Sequence, residues 1–380
     1  MAHLDSHQVV PQAAPPAAPQ EPGATDTIVE GGLAAPYVIM GDEEAIALVR
    51  QCYGIDGTVT RFATEKDDTF CVQAGHGNGC DGKRYVLKVA NPSEDVSEIA
   101  LQAELLQHIG QVDPSLPVPR ILPDHAGRAY AEITDRAGQR RQVRLMSYLE
   151  GTPLDRTRSS PIEREHIGEA LGRLRQACAG FSHPADTRVL AWDVKHLQSL
   201  RPLLDDVSDE QQKAKLAAGL ARFAAIEPRL AALPTQVLHN DFNLSNLVVD
   251  HAHPGFVTGI IDFGDAVRTA VAIDVATALL NQLPRDAAEN PVDDLFASGR
   301  DLLRGYYRHA SLSDEELAVV PHLVMARVVA RALITLWRAR RFPENATYIL
   351  RNTQPGWAQL DWFLARSMDE VSATLVPVTV

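Results

Sequence analysis

Paired cysteines, a surplus of basic side chains and long apolar runs are all missing from this 380-residue chain. Its few cysteines form no C-x-x-C pair and cannot staple a chain of this length, which excludes a disulfide scaffold and favours a reducing cytoplasm; they are Cys52, Cys71, Cys80 and Cys178. No uninterrupted apolar run reaches the roughly 20 residues that a membrane span needs. The first residues lack a basic region and are followed by an Ala/Pro/Gln tract, so no secretory signal is expected.

The charge balance narrows the classes of partner. The chain has 36 Lys and Arg against 49 Asp and Glu, a net charge of −13. Nucleic acids and anionic membranes recruit surfaces rich in Lys and Arg, so neither is an expected partner. The acidic balance suits a small cationic substrate. With 45% hydrophobic and 22% charged residues the composition is that of a globular protein, and the length predicts two lobes.

The first 150 residues divide into a tail and a sheet-rich lobe. Residues 1–35 are rich in Ala, Pro and Gln and are predicted to be a disordered tail. Residues 36–150 predict a small lobe with a mostly antiparallel sheet. Its first helix should end at Gly54 and its main helix, with an apolar stripe over 94–109, at Gly110. The predicted strands are Thr58–Ala63, Phe70–Ala74, Arg84–Ala90, Val118–Leu122, Ala129–Ile133 and Val143–Leu149.

After Gly151 the pattern changes to long helices, which indicates a second lobe over residues 151–380. Helical spacing recurs near 162–180, 209–231, 270–283, 293–309, 314–341 and 355–372. Two short strands, Leu247–Val249 and Val257–Ile261, lie among these helices. The sequence therefore predicts a bilobal α+β fold, with a small antiparallel-sheet lobe that carries one main helix and a large, mainly helical lobe.

The residues that indicate chemistry lie around the two short strands. His239, Asp241 and Asn246 form H-x-D-x-x-x-x-N, and a D-F-G begins at Asp262. Phosphoryl transfer needs a carboxylate that orients a hydroxyl and oxygen ligands for a Mg²⁺ that bridges phosphates. Asp241 fits the first role as the catalytic residue, and Asn246 and Asp262 fit the second as metal ligands. A lone Asp or Asn in a loop is usually a turn or cap, but the joint order and spacing favour the site.

The neighbours of these residues have structural interpretations. His239 is expected to hydrogen-bond the loop backbone, and Gly264 to permit the sharp turn that frees Asp262. Asp274 is expected to cap a helix and brace the loop. Asp265 has two open interpretations, because it could brace the loop or face a cationic substrate.

These motifs resemble the aminoglycoside phosphotransferase and choline kinase superfamily, which shares the protein-kinase fold. The resemblance covers roughly residues 40–370, and the motifs D-F-N-L-S-N, G-I-I-D-F-G-D and W-D-V-K-H (Trp192 to His196) look most similar to hydroxylysine-kinase-like members. It implies a cytoplasmic small-molecule kinase that uses Mg²⁺ with ATP or GTP. The family usually has Gly at the position of Asn240, and Asn also tolerates a left-handed backbone.

The resemblance also implies residues that bind the nucleotide. Lys88, in a strand-like run, looks like the lysine that pairs with the α- and β-phosphates. Its acidic partner should lie on the 94–109 helix, where Glu98 and Glu104 are both candidates, and the separation from Lys88 in the family favours Glu104. The segment Met146 to Gly151 resembles the hinge that contacts the base, through Ser147, Tyr148 and Leu149.

A glycine run from Gly77 to Lys83 matches two nucleotide-binding motifs, but it precedes a strand and not a helix, so it is predicted to be a hairpin turn. The turn that covers the phosphates is placed instead at Thr64 to Phe70, which contains no glycine and in which the Thr69 hydroxyl would assist.

The expected activity is transfer of a γ-phosphoryl group to the hydroxyl of an amine-bearing acceptor, such as a hydroxylated amino acid, an amino alcohol or an aminoglycoside. Two alternatives stay open. A catalytically silent kinase-like protein would bind a ligand or partner without transfer, and a metal-dependent hydrolase would release phosphate without an acceptor. The acceptor, the oligomeric state and the choice between ATP and GTP do not follow from the sequence.

Overall fold

A computed structural model describes residues 37–64, 66–75 and 82–376. The predicted tail over residues 1–35 and most of the glycine-rich hairpin turn, Gly77 to Asp81, lie outside the described residues.

The first half of the described chain forms a sheet with two helices. The helices are α1 (Asp42–Tyr53) and α2 (Val96–Val112), and the strands are β1 (Gly57–Arg61), β2 (Asp68–Ala74), β3 (Arg84–Val89), β4 (Ile121–Leu122), β5 (Ala131–Thr134) and β6 (Arg140–Ser147). Helix α1 ends where the sequence predicts, because Gly54 adopts the left-handed φ of 67° that closes a helix.

The strands form one antiparallel sheet in the order β1-β2-β3-β6-β4, with β5 also paired to β6. The register places Lys88 of β3 opposite Thr69 of β2 on one side and Arg144 of β6 on the other. One face of the sheet packs on α1 through buried side chains such as Phe70, Leu87 and Val49. The opposite face presents Lys88 and its two neighbours to a cleft.

Helix α2 differs from its prediction at the C-terminus. It does not end at Gly110 but continues to Val112, and Asp113 closes it by accepting hydrogen bonds from the amides of Ser115 and Leu116. A glycine inside a helix is tolerated when a stronger stop signal follows within a turn. The buried face includes Ile99, Ala103 and Leu106, whereas Val96 at the start of the apolar stripe is 40% exposed.

The second half of the described chain is mainly helical. A two-residue strand β7 (Thr152–Pro153) precedes α3 (Pro161–Cys178), a run of 3₁₀ turns (Val194–Asp206), α4 (Glu210–Leu230), β8 (Thr235–Leu238), β9 (Leu247–Val249), β10 (Val257–Ile260), β11 (Val267–Ala270), α5 (Val271–Leu280), α6 (Ala297–Tyr306), α7 (Asp314–Arg341), α8 (Ala346–Leu350), α9 (Gln354–Leu364) and α10 (Met368–Ala373). Antiparallel pairs join β9 to β10 and β8 to β11. The predicted two-lobed α+β arrangement is confirmed.

Helix α7 forms the centre of the larger core. It is long and apolar enough to cross a membrane, yet 83% of its apolar segment is buried inside the fold. It packs against α4, α5, α9 and the 3₁₀ run. Two charged side chains, Arg327 and Arg331, lie one helical turn apart in the mainly apolar middle of this helix and line a cavity described below.

The contact between α3 and α6 depends on two glycines. A Cβ on Gly168 of α3 would lie 1.8 Å from the carbonyl oxygen of Leu302, and one on Gly305 of α6 would lie 1.8 Å from that of Glu165. Helix backbones approach this closely only where side chains are absent. The two glycines therefore fix the spacing of the helices.

Replacing Gly168 with alanine is expected to lower the free energy of unfolding by about 1–3 kcal/mol, because the overpacking outweighs the better helix propensity of alanine. Urea denaturation of the wild type and the variant measures the difference. Gly41→Ala is the control, since a Cβ there meets nothing within 4 Å. Equal stability of the two variants would contradict the close helix contact.

Candidate active site

The loop between β8 and β9 is held by buried backbone hydrogen bonds. His239 is fully buried, and its Nδ1 accepts from the amide of Asp241 at 3.2 Å. Nε2 therefore carries the hydrogen and donates it to the carbonyl of Ile261 at 3.0 Å. This confirms the structural role predicted for His239, which ties the segment of Asp241 to the segment of Asp262.

A left-handed residue precedes Asp241. Asn240 has a φ of 60°, as its tolerance for that conformation predicts, and its amide donates to Asp274 Oδ1 at 2.8 Å. Asp274 thus braces the loop as expected. Its predicted capping role is wrong, because α5 begins at Val271 with Ala270 as the N-cap, and Asp274 lies inside the helix.

The turn after β10 also has a left-handed residue, but it is Asp262 itself and not Gly264. Asp262 has a φ of 62° and a ψ of 74°. Its Oδ1 lies 3.3 Å from Lys88 Nζ, so the strained backbone directs the carboxylate towards the sheet. The Lys88 charge holds the pKa of Asp262 below its ordinary value.

Asn246 connects the catalytic loop to this turn. Its Nδ2 donates to Asp241 Oδ2 at 2.7 Å and to the Asp241 carbonyl at 3.0 Å. Its Oδ1 accepts no hydrogen bond from any described residue. Burial and the neighbouring Asp265 carboxylate raise the pKa of Asp241 to about 7, although the Arg327 charge opposes the shift. A carboxylate of this basicity suits proton transfer near neutral pH.

A cavity of about 310 Å³ lies between the sheet on one side and β9 and the turn after β10 on the other. Its size is that of a small ligand site. All but one of the residues predicted to bind nucleotide or metal line it: Lys88, Thr69, Ser147, Tyr148, Leu149, Asn246 and Asp262. Asp241 lies on the other side of Asn246 and faces a second cavity.

Thr69 lies in β2 and not in the preceding turn, which corrects its predicted position. Its side-chain hydroxyl is buried without a hydrogen-bond partner in the described part of the chain. A buried hydroxyl that lacks a partner and lines a cavity beside Lys88 is available to a phosphate oxygen.

The hinge residues differ in what their backbone can offer. The amide of Ser147 donates to Arg120 at 2.9 Å and that of Tyr148 to Arg84 at 3.2 Å. The amide of Leu149 has no backbone acceptor among the described residues. Leu149 is therefore the member of the predicted trio whose N–H is free for the edge of a base.

The structure does not join Glu104 to Lys88, which corrects the predicted ion pair. Glu104 is 55% exposed and lies 3.9 Å from His183, while Glu98 pairs with Arg188 at 2.5 Å. Neither acid lines the cavity. The carboxylate beside Lys88 is that of Asp262.

The polar residue of α2 that lines the cavity is Gln102, which sequence reasoning missed. Its Oε1 accepts from Arg144 Nη1 at 2.8 Å, and both side chains are buried. Arg144 lies opposite Lys88 in the sheet, so two cations occupy the roof of the cavity. The sequence did contain one signal of a polar site here, because Arg144 interrupts the apolar strand pattern Val143–Leu149.

The second cavity, of about 730 Å³, opens in front of Asp241. It is lined by the side chains of Asp241, Asn243 and Asp265, by Trp192 from W-D-V-K-H and by residues of α7. Asp265 thus faces the cavity, which favours the second of its two interpretations. Arg327 of α7 is buried, donates to the carbonyls of Trp192 and Asn240, and lies 3.7 Å from Asp241 Oδ1.

The donor set fits Mg²⁺ bound together with phosphates. Within the described residues, no three His, Cys, Asp or Glu side chains cluster to hold a metal by themselves. Asp262 supplies a hard carboxylate and Asn246 a free amide oxygen on the same cavity wall. Two protein oxygens are the usual complement where substrate phosphates and water complete the coordination of Mg²⁺.

Comparisons with known proteins agree with this geometry. A model of the phosphotransferase enzyme family matches residues 58–312. Hydroxylysine kinase from Danio rerio is 26% identical over 338 residues, which cover 85% of this chain and 91% of that protein. Homoserine kinase from Pseudomonas aeruginosa (strain UCBPP-PA14) is 28% identical over 283 residues, which cover 74% and 79%.

Solved structures confirm the kinase-like fold. A microcompartment-associated aminopropanol kinase superposes with a TM-score of 0.66 at 19% identity, over 88% of this chain and 99% of that one. The amicoumacin kinase hAmiN, in complex with AMP-PNP, Ca²⁺ and Ami, superposes with a TM-score of 0.61 at 16% identity, over 83% and 93%. The chain therefore belongs to the phosphotransferase enzyme family, as a kinase-like enzyme similar to hydroxylysine kinases.

Proposed function

We propose that the protein transfers the γ-phosphoryl group of a Mg-bound ATP or GTP to the hydroxyl of an amine-bearing acceptor. The observation that carries the proposal is the 2.7 Å hydrogen bond from Asn246 to Asp241, because it joins the walls of the two cavities. A nucleotide in the first cavity and an acceptor in the second would meet at this contact. Small-molecule phosphotransfer needs such a junction, with a base on the acceptor side.

Six of the predicted residues receive a role in this proposal. Asp241 orients the acceptor hydroxyl and accepts its proton as the phosphoryl group moves in line. Lys88 and Thr69 bind phosphate oxygens, and the Leu149 amide binds the base. Asn246 and Asp262 would hold Mg²⁺, and the bound ion would neutralise the charge that develops on the phosphates.

The nucleotide is proposed to lie between a lobe of residues 36–150 and a lobe of residues 151–380, in a cytoplasmic enzyme. The relatives support an acceptor with both a hydroxyl and an amine. Hydroxylysine and homoserine, in the names of two of them, are hydroxylated amino acids, and aminopropanol is an amino alcohol. These classes, with aminoglycosides, define the acceptors to be tested.

An acceptor panel tests the proposal. Purified protein with Mg-ATP or Mg-GTP is incubated with hydroxylated amino acids, amino alcohols, aminoglycosides and neutral sugars, and both nucleoside diphosphate and phosphorylated product are measured. We expect diphosphate formation that depends on an amine-bearing acceptor. Thermal stabilisation by nucleotide without transfer to any acceptor would indicate a silent kinase-like protein. Phosphate release without an acceptor would indicate a hydrolase, and activity on neutral sugars alone would contradict the amine requirement.

A further inference from the structure

The second cavity carries a charge opposite to that of the protein. The whole chain has a net charge of −13, yet arginines outnumber acids in this cavity. The acids are Asp155, Asp241 and Asp265, and the arginines are Arg158, Arg285, Arg327, Arg331 and Arg351. A site of this composition is not built for an acceptor whose only charges are positive. It suits an acceptor that also carries an anionic group.

Arg331 is the least exposed of the cavity arginines that have no carboxylate partner among the described residues. Its guanidinium makes a single hydrogen bond to a described residue, from Nη2 to Gln359 Oε1 at 3.3 Å, and its Nε is buried without a partner. No described carboxylate lies within 4 Å of it. Burial and the charges of Arg285 and Arg327 lower its pKa to about 10. Buried polar groups without partners are uncommon in proteins and indicate a site for a ligand.

As well as Arg158, two further arginines of the cavity lack a carboxylate partner among the described residues. Arg285 donates only to the amide oxygen of Asn352, at 2.8 Å. Arg351 stacks on the Tyr348 ring at 3.6 Å and donates to the carbonyl of the same residue at 2.8 Å. With Arg331 they form a group of three cations, here named the arginine trio.

Arg327 differs from the trio because it is already engaged. It donates to two backbone carbonyls of the catalytic-loop region and lies near Asp241. It therefore neutralises part of the charge at the catalytic carboxylate. Arg331, one helical turn further along α7, lines the same cavity. On this helix, Arg327 is thus hydrogen-bonded within the protein, whereas Arg331 retains a donor that a ligand could pair.

We propose that the arginine trio, with Arg331 as its least exposed member, binds a carboxylate of the acceptor, which is then a hydroxylated amino acid. This inference rests on the proposed function and selects one of its acceptor classes. The planar guanidinium fork matches a carboxylate through two parallel hydrogen bonds. Asp155 and Asp265, on the same cavity wall, are available to the amine, and Asp241 to the hydroxyl.

An acceptor without a carboxylate would leave the trio unpaired. Sites that are built to hydrogen-bond a substrate group reject analogues that lack the group far more strongly than apolar pockets reject a missing methylene. Amino alcohols and aminoglycosides are therefore poor acceptors in this proposal. The discrimination resides at Arg331, because its Nε is the buried donor that no protein atom satisfies.

Matched acceptor pairs test the inference directly. Homoserine and 3-aminopropan-1-ol differ only by a carboxyl group, as do 5-hydroxylysine and 1,5-diaminopentan-2-ol. For the pair whose amino acid is the better substrate, we expect the wild type to show a kcat/KM for the amino acid at least about 10²-fold higher than for the analogue without the carboxyl group. Equal or better transfer to the members without a carboxylate would overturn the inference while leaving the proposed function intact. Failure of transfer to every acceptor would overturn the proposed function itself.

The variant Arg331→Met tests whether Arg331 causes the preference for acceptors that carry a carboxylate. Met keeps the length and packing of the side chain without the charge, and the ratio of kcat/KM within the pair is expected to fall to within about threefold of one. Arg340→Met is the matched control on the same helix, since Arg340 pairs with Asp206 outside the cavity. A preserved ratio in Arg331→Met would contradict the role of Arg331.

A stability measurement separates binding from a structural role. Removal of an unpaired, partly buried cation is expected to leave the thermal midpoint unchanged or raise it, whereas loss of a structural residue would lower it. Should Arg331→Met fail to fold, the exposed Arg285→Gln and Arg351→Gln variants serve instead. Each is expected to lower the kcat/KM ratio at least threefold, and an unchanged ratio in both would overturn the inference.

Discussion

Replacement of Asp262 with alanine is expected to lower kcat by at least about 10³-fold, the largest loss expected from any single substitution in this protein. Asp262 is the only carboxylate that the described structure places against Lys88, at 3.3 Å. Its removal takes away a proposed metal ligand together with the carboxylate partner of Lys88, the proposed phosphate-binding lysine. Steady-state kinetics at saturating nucleotide and acceptor measure the loss.

Because Asp262 has a left-handed backbone, a second variant is needed to separate the loss of its charge from backbone strain. Alanine is less tolerant of a φ of 62° than Asp or Asn, so part of the effect of Asp262→Ala comes from strain. Asp262→Asn keeps the conformation and removes only the charge, and we expect it also to lose at least about 10²-fold in kcat. Asp205→Ala, at an 89% exposed side chain, controls for loss of a surface acid. Near-wild-type kcat in Asp262→Asn would refute the assignment.

The second large effect is expected for Asp241→Asn. The substitution preserves the shape of the side chain but removes the group that accepts the hydroxyl proton, so kcat should fall by about 10²- to 10⁴-fold. The KM for nucleotide should change little, because Asp241 faces the second cavity and not the first. Separate titrations of nucleotide and acceptor measure both quantities.

This separation of kcat from nucleotide KM distinguishes a base from a structural residue. A collapse of the loop would weaken nucleotide binding as well, since Asn246 donates to Asp241 and lines the first cavity. Asp293→Asn, in an exposed segment, is the matched control and should leave kinetics unchanged. Retention of more than a tenth of the wild-type kcat by Asp241→Asn would contradict the proposed role.

The sequence predicts those features that depend on short segments. The motifs around Asp241 and Asp262 include their own turns, so the loop, the roles of His239 and Asn240 and the flanking strands agree with the structure. The long helix Asp314–Arg341 has the predicted bounds, because a Ser313 capping box begins it and basic residues precede its end.

Features that depend on how segments pack could not be predicted. Periodicity placed Glu98 and Glu104 on opposite flanks of α2, but it gave no information on the rotation of the helix against the sheet. The structure turns Gln102 into the cavity and leaves Asp262, which is remote in sequence, as the partner of Lys88. The 3₁₀ run Val194–Asp206 was missed because its buried residues recur at every third position, the period of a 3₁₀ helix and not of an α-helix, and because it contains Pro202.

The positive charge of the second cavity was also beyond sequence reasoning. Its arginines are spread from residue 158 to residue 351 and gather only in the folded chain. The overall acidic composition pointed instead to a cationic acceptor. One local signal existed, since Arg327 and Arg331 interrupt an apolar helix pattern four residues apart. Charges inside a buried helix commonly indicate a partner or a ligand.

The central claim is that Asn246 and Asp262 hold the metal of a nucleotide that faces Asp241. Crystals grown with a non-hydrolysable ATP analogue and Mn²⁺ test it most directly, because manganese can be located by its anomalous diffraction. The account predicts an anomalous peak within roughly 2.5 Å of Asn246 Oδ1 and of an Asp262 carboxylate oxygen, with the phosphates below Lys88. Bound analogue with the metal elsewhere, or with neither residue touching it, would contradict the account.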